Sequence, residues 1–226
     1  MDEKTALELA STIKTTQENV VREEYEMVFL KTILESEYGK SFVFKGGTAL
    51  RLAYNSMRFS EDLDFSLIER ISWRGLKKIL AKRVADFKTL KIRDLREKYY
   101  TYFALFSIKE DFLHQPFLLK VEISKRLVDW KKEEDFRLNQ LTTSITPLAT
   151  AGFVVNLERA YQDKKKAIKE RVKGRDLFDF WWLGQKLGRE EKILANHRFD
   201  KKAVEAKLKR FLPKGNWWLI SELFQK

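Results

Sequence analysis

The stretch covering residues 41–67 constrains the fold of this chain more than any other part of its 226 residues. It opens with a short β-prone run at residues 41–45, which Gly46 and Gly47 interrupt. Helix-forming residues follow, and the alternating run at residues 61–67 has the spacing of a second strand. The sequence therefore predicts a strand, a glycine turn, a short helix with Thr48 as its N-cap, a loop and a second strand.

The remaining sequence predicts an α+β protein with a helical C-terminal part. Helical periodicity predicts one or two amphipathic helices in residues 5–36 and another helix in residues 74–87. Three β-prone runs follow, at residues 90–96, 99–108 and 117–124. Four helical runs end the chain, at residues 157–171, 176–187, 201–211 and 217–224. We predict N-terminal helices with an α/β core in residues 1–150 and a helical domain in residues 151–226, with a soft boundary near residues 142–152.

The net charge of the chain is +12, from 45 Lys and Arg residues against 33 Asp and Glu residues. A surplus of this size favours polyanionic partners such as nucleic acids, through electrostatic steering and counterion release. A lysine- and glutamate-rich surface of a heat-adapted protein explains the same composition equally well. The charge alone therefore leaves both interpretations open.

Composition also excludes several kinds of site. The chain has no cysteine, which removes disulfides and thiolate zinc sites. Its two histidines, His114 and His197, have no ligand-like spacing, which argues against a histidine metal site or a Ser-His-Asp triad. The sequence has neither a recognisable signal peptide nor an apolar run long enough to span a bilayer, so we expect a cytoplasmic protein without a membrane partner.

Asp62 and Asp64 are the strongest candidates for chemistry. Side chains two residues apart on a strand share a face, so both carboxylates project together and can hold Mg²⁺ beside substrate phosphates. Gly46 and Gly47 would let backbone amides approach a triphosphate at a helix start, where Thr48 adds a hydroxyl. An isolated Asp-x-Asp is more often a solvated pair, and an isolated Gly-Gly is more often only a turn. The combination of the two favours a functional site.

The first motif of the AbiEii/AbiGii toxin family of nucleotidyltransferases resembles two runs of this chain, KGGTAL at residues 45–50 and RFSEDLDF at residues 58–65. This family belongs to the DNA polymerase β-like nucleotidyltransferase superfamily, in which an acidic pair on a strand follows a Gly-Gly or Gly-Ser turn. Gly47 stands where many relatives have Ser. The resemblance implies a nucleotidyltransferase-like mixed sheet flanked by helices and followed by a C-terminal helical bundle. It also implies nucleotide contacts from Lys45, Gly46, Gly47, Thr48, Arg58 and Ser60.

A second resemblance to the same family lies at residues 164–179, KKKAIKERVKGRDLFD. The family pattern K-x-x-A-x-x-x-R-x-x-x-R-D-x-x-D is matched by Lys164, Ala167, Arg171, Arg175, Asp176 and Asp179. Helical spacing predicts that Lys164, Arg171 and Arg175 share one helix face and that Asp176 caps a new helix. The match makes Lys164 and Arg175 candidate nucleotide contacts, and Asp176 a candidate base or orienting group for the acceptor hydroxyl. A solvated basic face is the alternative for the lysine run.

Glu122 is the candidate for a third carboxylate, because members of the superfamily often place one on a strand beside the acidic pair. Residues 120–124 alternate like a strand, with Lys120, Glu122 and Ser124 on one face. An ordinary Lys–Glu pair on a wet strand face is equally consistent with this pattern, and the family would more usually carry Asp at this position.

Together these residues predict an enzyme that uses Mg²⁺ or Mn²⁺ to move a nucleoside monophosphate from an NTP to an acceptor. Asp62, Asp64 and Glu122 would hold the metal. The basic surplus and the analogy with relatives favour an RNA acceptor, the tRNA 3′ end foremost. The family implies a toxin of a toxin–antitoxin or phage-defence system, with a cognate antitoxin as partner. Two alternatives stay open: transfer to a small hydroxylated molecule or a protein, and a non-catalytic RNA-binding protein.

Overall fold

A seven-stranded mixed sheet forms the centre of the molecule in a computed structural model that describes residues 1–170, 173–189 and 200–224. The strands are β1 (Phe42–Lys45), β2 (Asp62–Leu67), β3 (Leu90–Glu97), β4 (Thr101–Ile108), β5 (Phe117–Leu127), β6 (Phe136–Leu141) and β7 (Thr150–Val155). Their order across the sheet is β3-β4-β5-β2-β1-β7-β6. Neighbouring strands are antiparallel, except that β2 runs parallel to β5 and β1 runs parallel to β7.

Eight α-helices lie in these described ranges. They are α1 (Glu3–Ile13), α2 (Gln17–Leu34), α3 (Gly46–Tyr54), α4 (Trp73–Ala85), α5 (Leu157–Glu170), α6 (Gly174–Lys186), α7 (Lys201–Lys209) and α8 (Leu219–Glu222). None of these helices has both the length and the apolar character needed to cross a bilayer.

One face of the sheet is buried under α2 and α4. Alternate residues of the strands, such as Leu63 and Phe65, form one core with these helices, and Phe29 of α2 stacks on Phe106 of β4 at a centroid distance of 4.2 Å. Burial of this apolar surface is the main favourable term in the folding of such a layer. The sequence predicted an amphipathic helix here, but α2 is buried on almost all sides. Helices α1 and α4 and the sheet surround it and bury even Glu23 and Glu26.

The opposite face of the sheet is covered unevenly. A second core joins Val43 of β1 and Val155 of β7 to the C-terminal helices, with Tyr161 of α5 and Phe178 of α6 at its centre. On the same face, Asp62 and Asp64 of β2 and Lys120 and Glu122 of β5 stay partly exposed. The α+β class and the helical C-terminal part are therefore as predicted, and the C-terminal helices leave part of the sheet open beside them.

Two strands were not predicted, β6 and β7. Strand β7 spans the predicted boundary between residues 150 and 151, and it pairs with β1 inside the sheet. Its sequence, TAGFVV, contains a small-residue stretch in which Gly152 packs against the side chain of Leu34 in α2. The division into two domains stays a prediction, but the sheet itself extends past the residue at which we placed that division.

Candidate active site

Strand β2 places Asp62 and Asp64 on the open face of the sheet, as their spacing predicts. Asp64 lies opposite Glu122 of β5 on one side and opposite Lys45 of β1 on the other. Asp62 lies opposite Lys120 of β5. Residues that face each other across paired strands share a face of the sheet, so these five charged side chains form one group.

Lys120 is the member of this group that the sequence did not identify as a candidate. Its Nζ lies 2.8 Å from Oε2 of Glu122 and 3.3 Å from Oδ2 of Asp62. Burial lowers the pKa of Lys120, but the hydrogen bond to Glu122 and the charge of Asp62 outweigh this effect and raise it. The Lys–Glu pair considered for this strand is thus present, and it stands directly beside the acidic pair.

The role of Asp62, Asp64 and Glu122 as metal ligands stays a prediction. Within the described ranges, no group of three or more His, Cys, Asp or Glu side chains is arranged to hold a metal ion. Lys120 bridges Asp62 and Glu122 instead, and its ammonium group neutralises part of their charge.

The carboxyl group of Asp64 is a weaker acid than an ordinary aspartate, because its pKa is raised. Burial is the largest cause, and the negative charges of Asp62 and Glu122 add to it, so that the pKa of Asp64 rises from 3.8 to about 6. Lys120 and Lys45 oppose the shift without cancelling it. The carboxyl group therefore keeps its proton to a higher pH than an ordinary aspartate and is mostly ionised only above about pH 6.

The two glycines allow the backbone to approach the site closely. Gly46 has φ +83°, and a Cβ atom there would lie 2.6 Å from Oδ2 of Asp64. A Cβ atom on Gly47 would collide with the guanidinium of Arg58 and would lie 2.9 Å from Oγ of Ser60. Both positions therefore need glycine, Gly46 for its left-handed backbone and both for space. The turn touches Asp64 on one side and Arg58 on the other.

Thr48 is not the N-cap of α3, which was our prediction. The helix begins at Gly46 with Lys45 in the cap position, and Thr48 lies inside the first turn. Its buried hydroxyl donates a hydrogen bond of 2.6 Å to the backbone carbonyl of Asp62. Thr48 thus ties the helix start to the first residue of the acidic strand.

Arg58 joins the two motifs through a buried ion pair. Its Nε and Nη2 donate to the two carboxylate oxygens of Asp179 at 2.8 and 2.9 Å, and its Nη1 donates to the carbonyl of Phe59 at 2.7 Å. Lys164 of α5 completes the network, with Nζ 2.7 Å from Asp179 and 2.8 Å from Asp176. Burial raises the pKa of Asp179, but Arg58 and Lys164 outweigh it and lower the pKa to about 2. The structure thus places Arg58 and Lys164 in a network that links the Gly-Gly turn to the C-terminal helices.

The second motif spans two helices, as the predicted helical runs imply, but Arg175 does not share a helix with Lys164. Helix α5 ends at Glu170, and Arg175 lies in α6. Asp176 is not the cap of α6, because Lys173 takes that position and Asp176 lies in the first turn. Nη1 of Arg175 lies 2.8 Å from Oε2 of Glu61, immediately before the acidic strand.

The structure gives the location, and nothing about the role, of the other residues named from the sequence. Ser60 is buried beside Gly47. Arg171 and His197 lie outside the described residues. Sequence reasoning gave Asp179 no role, although Arg58 and Asp179 occupy matched positions in the two motifs. The available signal for the pairing of Arg58 with Asp179 was their opposite charge, with one residue in each motif.

A family profile provides the decisive comparison. The profile described as "Nucleotidyl transferase AbiEii toxin, Type IV TA system" matches residues 28–216, which include both motifs and every strand of the sheet.

The chain belongs to the AbiEii family.

Solved structures support the same fold for this AbiEii protein. It is similar to JHP933 from Helicobacter pylori, with a TM-score of 0.56 and 22% identity over 86% of this chain and 74% of that chain. It is also similar to MenT4, a nucleotidyltransferase toxin from Mycobacterium tuberculosis, with a TM-score of 0.53 and 18% identity over 84% of this chain and 62% of that chain. At these identities the likeness establishes the fold alone. A comparison with curated protein sequences gives no match.

The resemblance stated from the two motifs is thus confirmed. This AbiEii protein is a member of the nucleotidyltransferase toxins of toxin–antitoxin systems. Its membership of the family rests on the profile. The charged residues on the open face of the sheet are the candidates for its chemistry.

Proposed function

We propose that this protein transfers a nucleoside monophosphate from an NTP to a hydroxyl group at the end of an RNA chain, and that the reaction depends on Mg²⁺. The observation that carries the proposal is the contact between the Gly-Gly turn and the acidic strand. Gly46 brings the start of α3 against the carboxylate of Asp64, which lies beside Asp62. Backbone amides at a helix start favour phosphate, and paired carboxylates favour the metal ion that accompanies a nucleotide.

The donor atoms of this site fit a divalent cation. Asp62 and Asp64 offer hard oxygen ligands on one face, and mutual repulsion contributes to the raised pKa of Asp64. A bound cation would relieve that repulsion. Asp62 and Asp64 would hold Mg²⁺ or Mn²⁺, with Glu122 as a third ligand once its bond to Lys120 is released. A cation held there would supply charge that stabilises the triphosphate and acidifies the attacking hydroxyl.

The other residues of the site position the two substrates. The turn at Gly46 and Gly47 presents backbone amides to the triphosphate, and Lys45 adds a positive charge opposite Asp64. Lys164 is held by two carboxylates and offers a further charge to the phosphates. Asp176 orients the acceptor hydroxyl. The nucleotide site is supported from the start of α3, from the loop before β2 and from α6, by Thr48, Arg58, Ser60 and Arg175.

The charge of the whole chain supports one class of acceptor. The net charge of +12 favours a polyanionic acceptor over a small neutral molecule, and a tRNA 3′ end presents both a free hydroxyl and a dense array of phosphates. The proposed partners are therefore an NTP, an RNA and the cognate antitoxin of the toxin–antitoxin pair. A role in phage defence is compatible with such a toxin.

The test is a transfer assay with total RNA, Mg²⁺ and each labelled NTP in turn. Asp62→Asn and Asp64→Asn are expected to lower labelling of RNA at least a hundredfold, because each removes a negatively charged ligand oxygen from the site. Asp111→Asn, which changes an exposed aspartate in the loop before β5, is the matched control and should keep full activity. Full activity in both site variants would contradict the proposed chemistry.

The same assay separates the alternatives. Labelling of a small hydroxylated compound or of protein in place of RNA would move the acceptor to another class. Binding of RNA that ignores both Mg²⁺ and Asp62→Asn, with no labelled product from any NTP, would identify a non-catalytic binding protein.

A further inference from the structure

The tip of the β3–β4 hairpin exposes two neighbouring aromatic side chains. Tyr99 is 82% exposed and Tyr100 is 52% exposed. Their rings contact each other edge to face with centroids 4.3 Å apart. Large aromatic side chains next to each other in water lose the benefit of burial, so a pair of this kind is typical of a binding surface.

Positive charges accompany the aromatic rings of this region. The guanidinium of Arg126 lies 4.0 Å from the ring centroid of Tyr100, and Nζ of Lys98 lies 3.7 Å from the ring centroid of Phe103. In the part of the chain that the structure describes, neither cation forms an ion pair with a carboxylate, whereas the neighbouring Lys125 is paired with Glu97. The surface therefore offers stacking rings together with cations that can neutralise phosphates.

This surface, which we call the hairpin surface (residues 98–103 and Arg126), leads to the candidate active site. Phe103 of β4 lies opposite Glu122 of β5, and Glu122 lies opposite Asp64 of β2. All three share the open face of the sheet, so Phe103 is two strand spacings, about 10 Å, from Asp64. Tyr100 lies at the tip of the hairpin, a further 10 Å or so along the chain, where its ring contacts Arg126, which follows Glu122 by four residues on β5. The whole path has the length of a few nucleotides.

From these contacts we propose that the hairpin surface binds the single-stranded end of the acceptor RNA and directs its terminal hydroxyl toward Asp62 and Asp64. Bases stack on the exposed tyrosines and on the free part of the Phe103 ring, and Lys98 and Arg126 contact the phosphates between them. The charges of the surface and of the RNA are complementary. This inference rests on the proposed function for its direction, since it assumes that the acceptor hydroxyl reacts at the acidic pair.

The test measures binding of a 5′-labelled single-stranded RNA oligonucleotide by fluorescence anisotropy at low salt. The double variant Tyr99→Ala/Tyr100→Ala is expected to bind at least about tenfold more weakly, because the loss of stacking is large for each base. Lys98→Glu is expected to weaken binding through charge. Trp218→Ala removes another exposed aromatic, 64% exposed near the C-terminus, and Lys4→Glu reverses an exposed charge in α1; both controls should bind within about twofold of the wild type.

When nucleotide transfer is assayed in parallel, the outcomes separate failure of the proposed hairpin surface from failure of the proposed function. Wild-type affinity in both hairpin variants, an equal loss in the two controls, or no RNA binding by the wild type would overturn the hairpin surface. Transfer to RNA that continues with unchanged KM in the hairpin variants would overturn it and leave the proposed function in place. A protein that binds RNA through the hairpin but labels no RNA would contradict the proposed function and support the surface.

Discussion

At the scale of single residues, Asp64 links the chemistry of the site to the stability of the fold. Burial, and then the neighbouring charge of Asp62, raise its pKa from 3.8 to about 6. The folded protein therefore binds a proton at Asp64 more tightly than the unfolded chain does. Its contribution to stability is fully present below pH 3.8 and is lost as the pH rises through 6.

Asp64→Asn should remove this pH dependence, because the amide stays neutral. We expect the variant to exceed the wild type in free energy of unfolding by about 1–3 kcal/mol at pH 7.5, with the difference vanishing near pH 4. Urea denaturation between pH 4 and 8, without divalent cations, measures it. Asp111→Asn is the control and should follow the wild type throughout. A constant difference between Asp64→Asn and the wild type across this range would show that the carboxyl group titrates normally.

At the scale of elements, the buried pair of Arg58 and Asp179 holds the loop before β2 against α6. The side chains are 2% and 1% exposed, and two hydrogen bonds join them. A buried ion pair contributes little compared with an apolar pair of the same size, but loss of one partner leaves the other charge buried alone. The loop carries Ser60 and leads to Asp62, so the position of the acidic strand relative to the C-terminal helices depends on this contact.

Asp179→Asn is therefore expected to destabilise the protein by about 3 kcal/mol or more at pH 7, because Arg58 and Lys164 lose their shared counter-charge. Asp163→Asn is a matched control. It removes a carboxylate of a surface pair with Arg159, 40% and 39% exposed, for which we expect a loss of about 0.5 kcal/mol or less. Denaturant midpoints of the three proteins measure the effect. Equal midpoints for the two variants would show that the network does not support the fold.

The same elements show how far the sequence predicts the fold. The succession of β1, α3 and β2 along the chain was predictable, because hydrophobic alternation and a Gly-Gly turn are local signals. Strand β7 was missed because its small residues, Ala151 and Gly152, have weak strand propensity and the strand depends on packing against Leu34. Strand β6 was missed because it is a polar edge strand with Leu138 exposed. Both depend on tertiary contacts that periodicity does not record.

At the scale of the whole molecule, some features of the candidate site follow from local sequence and others depend on tertiary contacts. The shared face of Asp62 and Asp64 follows from strand geometry, and two local motifs sufficed to predict the family. The bond between Arg58 and Asp179 joins residues separated by 121 positions, and it depends on how the C-terminal helices pack against the sheet. The placement of Lys120 required the pairing of β2 with β5, which the sequence does not specify. Local spacing predicted that the two carboxylates share a face, whereas the partners of the site residues depend on the tertiary fold.

The net charge of +12 leads to a prediction for the whole molecule. If the acceptor is RNA, binding releases counterions, and three to five phosphate contacts should weaken RNA binding about 20- to 130-fold between 50 and 200 mM salt. Lys98→Ala should reduce the slope of log K against log salt by about 0.7, the share of one phosphate on a single strand. Anisotropy titrations at four salt concentrations measure both values. A small neutral acceptor predicts nearly constant KM over the same range, and a flat response to salt in both binding and transfer would therefore exclude RNA as the acceptor.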